Sequence, residues 1–199
     1  MFKLMVVTDR KRCKMPLTEM LRLAIEGGVD AVQLREKDLE AGELTKLAEE
    51  LRKITAAAGA KLIINHRTDI ALAVGADGVH LGWRSVDVRD ARALAGDKLT
   101  IGLSCHDGAQ LRQAQEAGAD YAILGPLFPT PSKEGLVPPL HAAGFKRVVS
   151  NATIPVLAIG GITPANVRDA LIAGASGVAV ISAIVEAADP KAAAKALRA

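Results

Sequence analysis

The stretch Gly75-Ala76-Asp77-Gly78-Val79-His80-Leu81 is one of four similar stretches in this 199-residue chain. In each, a glycine comes first and a short apolar run follows; the other copies are residues 28–34, 118–124 and 174–180. Glycine suits the left-handed residue that ends a helix, and an apolar run without clean alternation suits a buried strand. Each copy therefore predicts the end of a helix followed directly by a strand.

Successive copies begin 43 to 56 residues apart, a spacing that is too long for one hairpin and suits two strand–helix units. Four more apolar runs lie before and between the copies, at residues 3–7, 62–65, 100–103 and 155–159, which makes eight strands. The remaining segments carry apolar residues at helical spacing, and they are 17–26, 41–58, 68–74, 86–95, 109–117, 142–150, 164–173 and 190–197. Thr163-Pro164 predicts the cap and first residue of the seventh helix.

Eight alternating strands and helices close most economically into an α/β fold of the (β/α)8 TIM barrel type, and we expect a single domain across residues 1–199. The alternative is an open, doubly wound sheet, which typically carries a glycine-rich dinucleotide-binding turn after its first strand. Here that turn is Val7-Thr8-Asp9-Arg10 and has no glycine. The sequence therefore favours the barrel.

The charged residues, 25 basic and 22 acidic, are spread along the chain and give a net charge of +3 without a block of like charge. Together with an aromatic content of 3%, this argues against a nucleic-acid partner. Cys13 and Cys105 are too few for a disulfide framework and lack metal-site spacing, which fits a reducing cytoplasm. The longest apolar stretch, 174–185, is too short to cross a membrane. We expect a cytoplasmic protein without membrane partners, and a homo-oligomer stays an open alternative.

Polar side chains follow the predicted strands, at the end of the barrel where enzymes of this fold place their chemistry. After the second strand, the two-residue period places Gln33, Arg35 and Lys37 on one side. A third cation, with two hydroxyls before it, comes from the loop after the sixth strand: Thr130, Ser132 and Lys133. Three converging cations suit a diphosphate.

Structural salt bridges are the alternative role for the cations after the second strand. In that case the nearby carboxylates of Glu36, Asp38 or Glu40 would neutralise them. The two alternatives differ in the partners of the cations, which are phosphate oxygens of a ligand in one and side chains of this chain in the other.

The loops after the seventh and eighth strands form a second candidate anion site, with Gly160, Gly161, Ile181 and Ser182 at their starts. Glycine allows close approach of the backbone, and free N–H groups with a helix N-terminus bind phosphate at these two loops of TIM barrels. Two phosphate-type sites at one mouth predict two phosphorylated ligands or one bisphosphate.

Four strings, taken in order over nearly the whole chain, resemble the thiamine-phosphate synthase family, which includes a thiazole tautomerase branch. They are Gln33-Leu34-Arg35-Glu36-Lys37, Ala-Asp-Gly-Val-His-Leu-Gly at 76–82, Gly-Pro-Leu-Phe-Pro-Thr-Pro-Ser-Lys at 125–133 and Ala-Ile-Gly-Gly-Ile at 158–162. The resemblance implies a cytoplasmic barrel enzyme of thiamine biosynthesis that joins hydroxymethylpyrimidine diphosphate to thiazole phosphate, with Mg²⁺. In that family's mechanism diphosphate leaves first, and the thiazole nitrogen captures the resulting pyrimidine methylene cation.

The resemblance also implies residue roles. The residues that would hold the pyrimidine diphosphate are Gln33, Arg35, Lys37, Asn65, Ser104 and Lys133. Those that would hold the thiazole phosphate are Thr130, Ser132, Gly161, Ile181 and Ser182. Arg35, Lys37 and Lys133 would be the catalytic cations, because cations aimed at a departing diphosphate help it to ionise.

The metal positions of the family differ in this sequence. Members that bind Mg²⁺ carry an Asp directly after the Asn of the third strand and another soon after the His-Leu-Gly of the fourth, where this chain has His66 and Ser85. Mg²⁺ prefers carboxylate oxygens to imidazole or hydroxyl groups. No residue is therefore assigned to the metal, and Asp38, Asp69 and Asp87 stay as alternative ligands.

Two further functions stay open beside the synthase. The tautomerase branch also lacks those aspartates, but the residue where its catalytic His is expected is Pro126 here. The other is a non-catalytic protein that binds thiazole phosphate or thiamine phosphate. Of the remaining histidines, His80 is expected to be buried and hydrogen-bonded within a strand, whereas His106 is a candidate acid/base with structural loop bonding as the alternative.

Overall fold

The computed structural model describes residues 2–130 and 137–198, so Ser132 and Lys133 of the candidate site lie outside the described residues. Eight parallel strands form a closed barrel in which each strand pairs with the next, and β8 returns to β1. The strands are β1 (Leu4–Val7), β2 (Ala31–Leu34), β3 (Lys61–Asn65), β4 (Gly78–Leu81), β5 (Thr100–Cys105), β6 (Tyr121–Leu124), β7 (Val156–Ile159) and β8 (Gly177–Val180). The predicted single-domain (β/α)8 barrel is confirmed, while the domain limits of 1–199 stay a prediction.

Helices follow the strands around the outside of the barrel. They are α1 (Leu17–Glu26), α2 (Ala41–Ala57), α3 (Thr68–Ala73), α4 (Val88–Ala95), α5 (Gly108–Glu116), α6 (His141–Val149), α7 (Val167–Ile172), α8 (Ser182–Val185) and α9 (Pro190–Leu197). All except α8 overlap predicted helices; α8 has only 4 residues, too few to show a helical period in the sequence. Within the two described segments, none of these helices has the length and apolar character needed to cross a lipid bilayer.

The predicted start of α7 at Thr163-Pro164 is wrong. The helix begins at Val167, and the preceding Asn166 folds its side chain back over the loop. Its Oδ1 accepts a hydrogen bond from the Thr163 N–H at 2.8 Å, and its Nδ2 donates to the Gly161 carbonyl at 2.9 Å. Those two bonds hold a turn where the sequence suggested a helix cap.

The glycines of the repeated stretches have the left-handed backbone that the sequence predicts. Their φ angles are +111° at Gly28, +61° at Gly75, +86° at Gly118 and +100° at Gly174. Only glycine adopts such angles without a steric penalty, so each copy ends one helix and turns the chain into the next strand.

The polar residue of each copy ties two strands together. Its side chain accepts a hydrogen bond from a backbone N–H at the start of the preceding odd-numbered strand. The donor–acceptor pairs are Leu4–Asp30 at 3.1 Å, Leu62–Asp77 at 2.9 Å, Ile101–Asp120 at 2.7 Å and Val156–Ser176 at 3.4 Å. A backbone N–H in this position needs a partner, and the repeat supplies one at every second strand. These contacts close the amino end of the barrel, opposite the candidate site.

The barrel interior is filled by side chains. Met5, Ile63, Tyr121 and Leu157 belong to this inner apolar layer, separate from the larger layer between strands and helices. A side chain at Gly102 would overlap the Tyr121 ring, so the glycine makes room for the largest inner residue. A ligand therefore binds above this layer, at the mouth formed by the carboxyl ends of the strands.

Candidate functional site

The alternation predicted for the second strand is confirmed for Gln33 and Leu34. Gln33 is buried, and its Nε2 lies 3.6 Å from the Met5 Sδ of the inner layer, whereas Leu34 packs in the outer layer. β2 ends at Leu34, so Arg35 and Lys37 lie in the loop between β2 and α2. This loop leaves the barrel at the mouth.

The start of that loop is fixed to the neighbouring strand end. The backbone N–H of Arg35 donates to the Oγ1 of Thr8, which is fully buried directly after β1, at 2.9 Å. This bond fixes the position of the Arg35 backbone, from which the guanidinium-bearing side chain extends.

The acidic residues of the loop are held by the chain segment after β1. The buried Glu36 accepts hydrogen bonds from the Arg10 backbone N–H at 3.0 Å and its Nη1 at 3.1 Å. Asp38 accepts from both terminal nitrogens of Arg10, at 2.7 and 2.9 Å, and from the Lys11 Nζ at 2.7 Å. These bonds hold the pKa of the Asp38 carboxyl well below its usual range. Within the described residues Arg35 forms no ion pair with these carboxylates, and the choice between a ligand and a salt bridge stays a prediction for both cations.

His66 and Ser85 form a hydrogen-bonded pair at the ends of β3 and β4. His66 adopts a left-handed backbone with φ +64°, and its N–H donates to the His80 carbonyl at 2.9 Å. Its Nδ1 is hydrogen-bonded to the Ser85 Oγ, and that oxygen also accepts from the Gly82 N–H at 2.8 Å. The imidazole lies against Gly82, where a Cβ would come within 3.1 Å of its Cε1.

Two cationic side chains act on His66. Burial lowers the pKa of His66, and the nearby charges of Lys37 and Arg35 lower it further. Arg35, Lys37 and His66 therefore share one electrostatic environment, and we call these three residues the cation side of the mouth. A neutral imidazole is the favoured form there.

The carboxylates considered as replacement metal ligands are engaged elsewhere. Asp69 forms a two-pronged pair with Arg67, with the Nε bond at 2.8 Å, and Asp87 caps α4 by accepting from the Arg89 N–H at 2.8 Å. Asp38 is bound by Arg10 and Lys11, as described above. No group of three or more His, Cys, Asp or Glu side chains arranged to hold a metal ion occurs in residues 2–130 and 137–198. The described residues therefore bring no cluster of carboxylate oxygens to His66 and Ser85, whereas Mg²⁺ prefers carboxylate ligands.

His80 lies inside the barrel, below the mouth. It is buried, its Nδ1 lies 3.2 Å from the Tyr121 hydroxyl, and its Nε2 lies 2.9 Å from the Ser104 Oγ. Burial lowers the pKa of His80 to about 3 and raises that of Tyr121, so both groups are neutral near pH 7. The structural role predicted for His80 is confirmed. Asn65, the last residue of β3, is half-buried beside it in the sheet register.

His106 is hydrogen-bonded within its loop. Its Nδ1 donates to the Gly125 carbonyl at 2.5 Å, and its N–H donates to the Gln110 Oε1 at 2.8 Å. With the proton on Nδ1, Nε2 keeps a lone pair in the neutral ring. The structural bonding expected as the alternative is present, and an acid/base role for His106 stays a prediction.

The opposite part of the mouth is built from backbone, and we call its residues Gly160, Gly161, Ile181 and Ser182 the glycine side. Gly160 and Gly161 have φ angles of +98° and +63°. A Cβ at Gly161 would come within 2.5 Å of the Pro129 carbonyl oxygen, so no side chain fits without a backbone shift. Ile181 follows β8 directly and the exposed Ser182 begins α8.

The loop after β6 lies against these glycines. The Leu127 N–H donates to the Ile159 carbonyl at 2.7 Å, and the Phe128 N–H donates to the Gly160 carbonyl at 3.0 Å. This pairing brings the half-buried Thr130 to the glycine side. The helix N-terminus predicted at Pro164 is not part of this site, because α7 begins only at Val167.

The sequence did not predict the supporting contacts made by Thr8, Arg10 and Lys11. The run Asp9-Arg10-Lys11-Arg12 after the first strand was visible as a group of charges, but nothing in it identified Glu36 and Asp38 as its partners. The sequence also gave no signal that His66 and Ser85, 19 positions apart, would be hydrogen-bonded.

Comparisons with known proteins agree with the resemblance in the sequence. The chain matches the family model described as thiamine monophosphate synthase over residues 4–184. A thiamine-phosphate synthase from Moorella thermoacetica is 43% identical over 97% of this chain and 92% of that protein. One from Methanoculleus marisnigri is 46% identical over 91% of this chain and 86% of that protein. The solved structure of a thiamine phosphate pyrophosphorylase from Pyrococcus furiosus matches with a TM-score of 0.90 and 37% identity, covering 98% of this chain and 93% of that one.

Proposed function

The chain belongs to the thiamine monophosphate synthase family, and we propose that it joins a hydroxymethylpyrimidine diphosphate to a thiazole phosphate in thiamine biosynthesis. The products are thiamine phosphate and inorganic diphosphate. The observation that carries this proposal is the cation side, where Arg35 and Lys37 follow β2 and His66 follows the neighbouring β3. The carboxylates beside them are bound by Arg10 and Lys11. Cations in such a setting favour a polyphosphate ligand.

The proposed reaction is a substitution at the methylene carbon of the pyrimidine. The bond between this carbon and the diphosphate oxygen breaks, and both electrons leave with the oxygen. The thiazole nitrogen then donates its lone pair to the methylene carbon and forms the new C–N bond. Arg35 and Lys37 stabilise the negative charge that develops on the diphosphate, and Lys133 is proposed as a third cation for the same charge.

The glycine side is the proposed place for the thiazole phosphate. Gly160 and Gly161 present backbone without side chains, and Thr130 lies on the loop that packs against them. Backbone N–H groups and hydroxyls can bind phosphate through hydrogen bonds, without a charged side chain. Ser132, Ile181 and Ser182 are proposed to complete this site.

The synthase is favoured over the tautomerase and over a non-catalytic binding protein. The relatives that cover most of the chain are named thiamine-phosphate synthase. Pro126, which directly follows Gly125 after β6, has no group that transfers protons and stands where the tautomerase branch has its catalytic His. We also propose a cytoplasmic location and small phosphorylated substrates, consistent with free thiols at Cys13 and Cys105.

The test is an assay for thiamine phosphate with both substrates, run with Mg²⁺ and again with EDTA. We expect formation of thiamine phosphate together with an equal amount of diphosphate. Conversion between thiazole phosphate tautomers without coupling would support the tautomerase instead. Tight retention of thiazole phosphate with no turnover under either condition would support the binding protein.

A further inference from the structure

The hydrogen-bonded pair of His66 and Ser85 stands at the mouth where the resemblance places metal carboxylates. Of the carboxylates considered as replacements, Asp69 pairs with Arg67 and Asp87 caps α4. The two cations proposed to face the diphosphate follow β2, which pairs with β3, the strand that His66 follows. Imidazole and hydroxyl groups are suited to hydrogen bonding with a phosphate oxygen rather than to holding Mg²⁺.

The hydrogen-bond partners of Ser85 indicate which nitrogen of the His66 imidazole carries the proton. The Ser85 Oγ accepts a bond from the Gly82 N–H, and the only acceptor that the described residues offer to its own hydroxyl proton is the His66 Nδ1. We assign the hydroxyl as the donor in this bond, which leaves the proton of the neutral ring on Nε2. Nε2 is therefore a hydrogen-bond donor.

The backbone holds this donor in one orientation. The His66 N–H is bound to the His80 carbonyl at 2.9 Å, and the following Arg67 N–H is bound to the Asn65 carbonyl at 2.9 Å. The left-handed φ of +64° is uncommon for a residue with a side chain, and such strain is typical of functional positions. Gly82 leaves the space into which the ring packs.

We propose that the Nε2–H of His66 donates a hydrogen bond to the departing diphosphate and, with Arg35 and Lys37, does the work of a carboxylate-bound Mg²⁺. Ser85 is the positioning residue that fixes the ring and its tautomer. The C–O bond electrons pass to the diphosphate oxygen, while the proton stays on Nε2, so no proton is transferred in this step. The inference rests on the proposed function for the identity of the ligand.

The experiment measures binding of inorganic diphosphate by calorimetric titration, in EDTA and again in excess Mg²⁺. The native protein is expected to bind in EDTA, with less than about a twofold change when Mg²⁺ is added. His66→Asn, which tolerates the left-handed backbone, is expected to weaken binding in EDTA about tenfold because the Nε2 donor is lost. Ser85→Ala is expected to weaken it about threefold, and Ser85→Thr is expected to restore native binding because it keeps the hydroxyl.

His141→Asn is the matched control. His141 also has a left-handed backbone, with φ +54°, but it is exposed at the start of α6. We expect its diphosphate affinity to equal that of the native protein. Circular dichroism checks that each variant is folded, and the comparison of EDTA with Mg²⁺ on the native protein needs no variant.

Two outcomes would overturn the inference: native binding that requires Mg²⁺, or His66→Asn binding diphosphate as tightly as the native protein. Neither depends on turnover. A protein that binds diphosphate through His66 but forms no thiamine phosphate would contradict the proposed function alone. One that forms thiamine phosphate only with Mg²⁺, and with His66→Asn as active as the native protein, would contradict this inference alone.

Discussion

The two sides of the mouth are held in place by different kinds of contact, side-chain bonds to distant residues on one and local backbone conformation on the other. On the cation side, the orientation of each group depends on a partner far away in sequence, such as Thr8 for the Arg35 backbone and Ser85 for His66. On the glycine side, the shape comes from backbone conformation at Gly160 and Gly161 and from the nearby Asn166. Substitutions on the first side should therefore change charge and hydrogen bonding with little effect on the fold, whereas those on the second should alter the backbone itself.

The largest effect is expected from Arg35→Ala, and the same is expected from Lys133→Ala. Loss of one charge-assisted contact to the leaving group should raise the barrier by about 2–4 kcal/mol, seen as a lower kcat/KM for the pyrimidine diphosphate. Arg22→Ala, an exposed arginine on α1, is the control and should be as active as the native protein. Unchanged turnover and diphosphate affinity in both variants would mean that these cations have only a structural role.

A smaller effect is expected from Gly161→Ala, which tests the glycine side. The added Cβ meets the Pro129 carbonyl oxygen, and the positive φ adds strain of about 1–3 kcal/mol. The affinity for thiazole phosphate should fall toward that of the unphosphorylated thiazole, with diphosphate binding unchanged. Equilibrium titrations with the three ligands measure this.

Gly118→Ala is the matched control for that variant. Its φ is +86°, but a Cβ there has no atom within 4 Å, and it lies at the opposite end of the barrel. It should lose stability from the same strain and keep its affinity for thiazole phosphate. If native protein binds thiazole phosphate no more tightly than the unphosphorylated thiazole, the glycine side is not a phosphate site.

Much of this comparison could be predicted from the sequence, because the decisive signals are local. The left-handed glycines of the repeat and the alternation at Gln33 and Leu34 follow from nearest neighbours along the chain, and both are present in the structure. The predicted start of α7 is wrong because the Asn166 side chain accepts a hydrogen bond from the Thr163 N–H. The sequence pattern does not reveal this bond.

The supporting contacts of the cation side could not be predicted. Arg10 and Glu36 are 26 positions apart, and their pairing depends on the closure of β1 against β2. Contacts of the repeated stretches between distant residues could not be predicted either. The glycine and apolar run of each stretch were interpreted correctly, but the bond from Asp77 to the Leu62 N–H needs the barrel register to be known.

The double substitution His66→Asp with Ser85→Asp would sharpen the contrast by giving the cation side the carboxylates that it lacks. Aspartate tolerates the left-handed backbone at position 66, and two carboxylates are enough to hold a Mg²⁺ that bridges a diphosphate. The rate of thiamine phosphate formation should become dependent on Mg²⁺, by about tenfold. The isosteric pair His66→Asn with Ser85→Asn carries no charge and should gain no such dependence.

A native enzyme that already requires Mg²⁺, together with a double variant that is neutral or less active, would contradict this expectation. Asp69 or Asp87 would then be the residue that holds the ion, after release from Arg67 or from the α4 backbone.

The smallest effect concerns His80, which is hydrogen-bonded to Ser104 and Tyr121 inside the barrel. Its pKa is lowered to about 3 in the folded protein from an ordinary value of 6.5, so the unfolded chain takes up a proton before the folded one does. The contribution of His80 to stability is therefore fully present above pH 6.5 and is lost as the pH falls toward 3.

Between pH 6.5 and 5.5 the free energy of unfolding should decrease by about 1 kcal/mol because of His80, measured by urea denaturation followed by circular dichroism. His80→Gln should flatten this dependence, and His141→Gln, at an exposed position, should leave it unchanged. A native protein whose stability is the same at both pH values would contradict the neutral state that burial favours for His80.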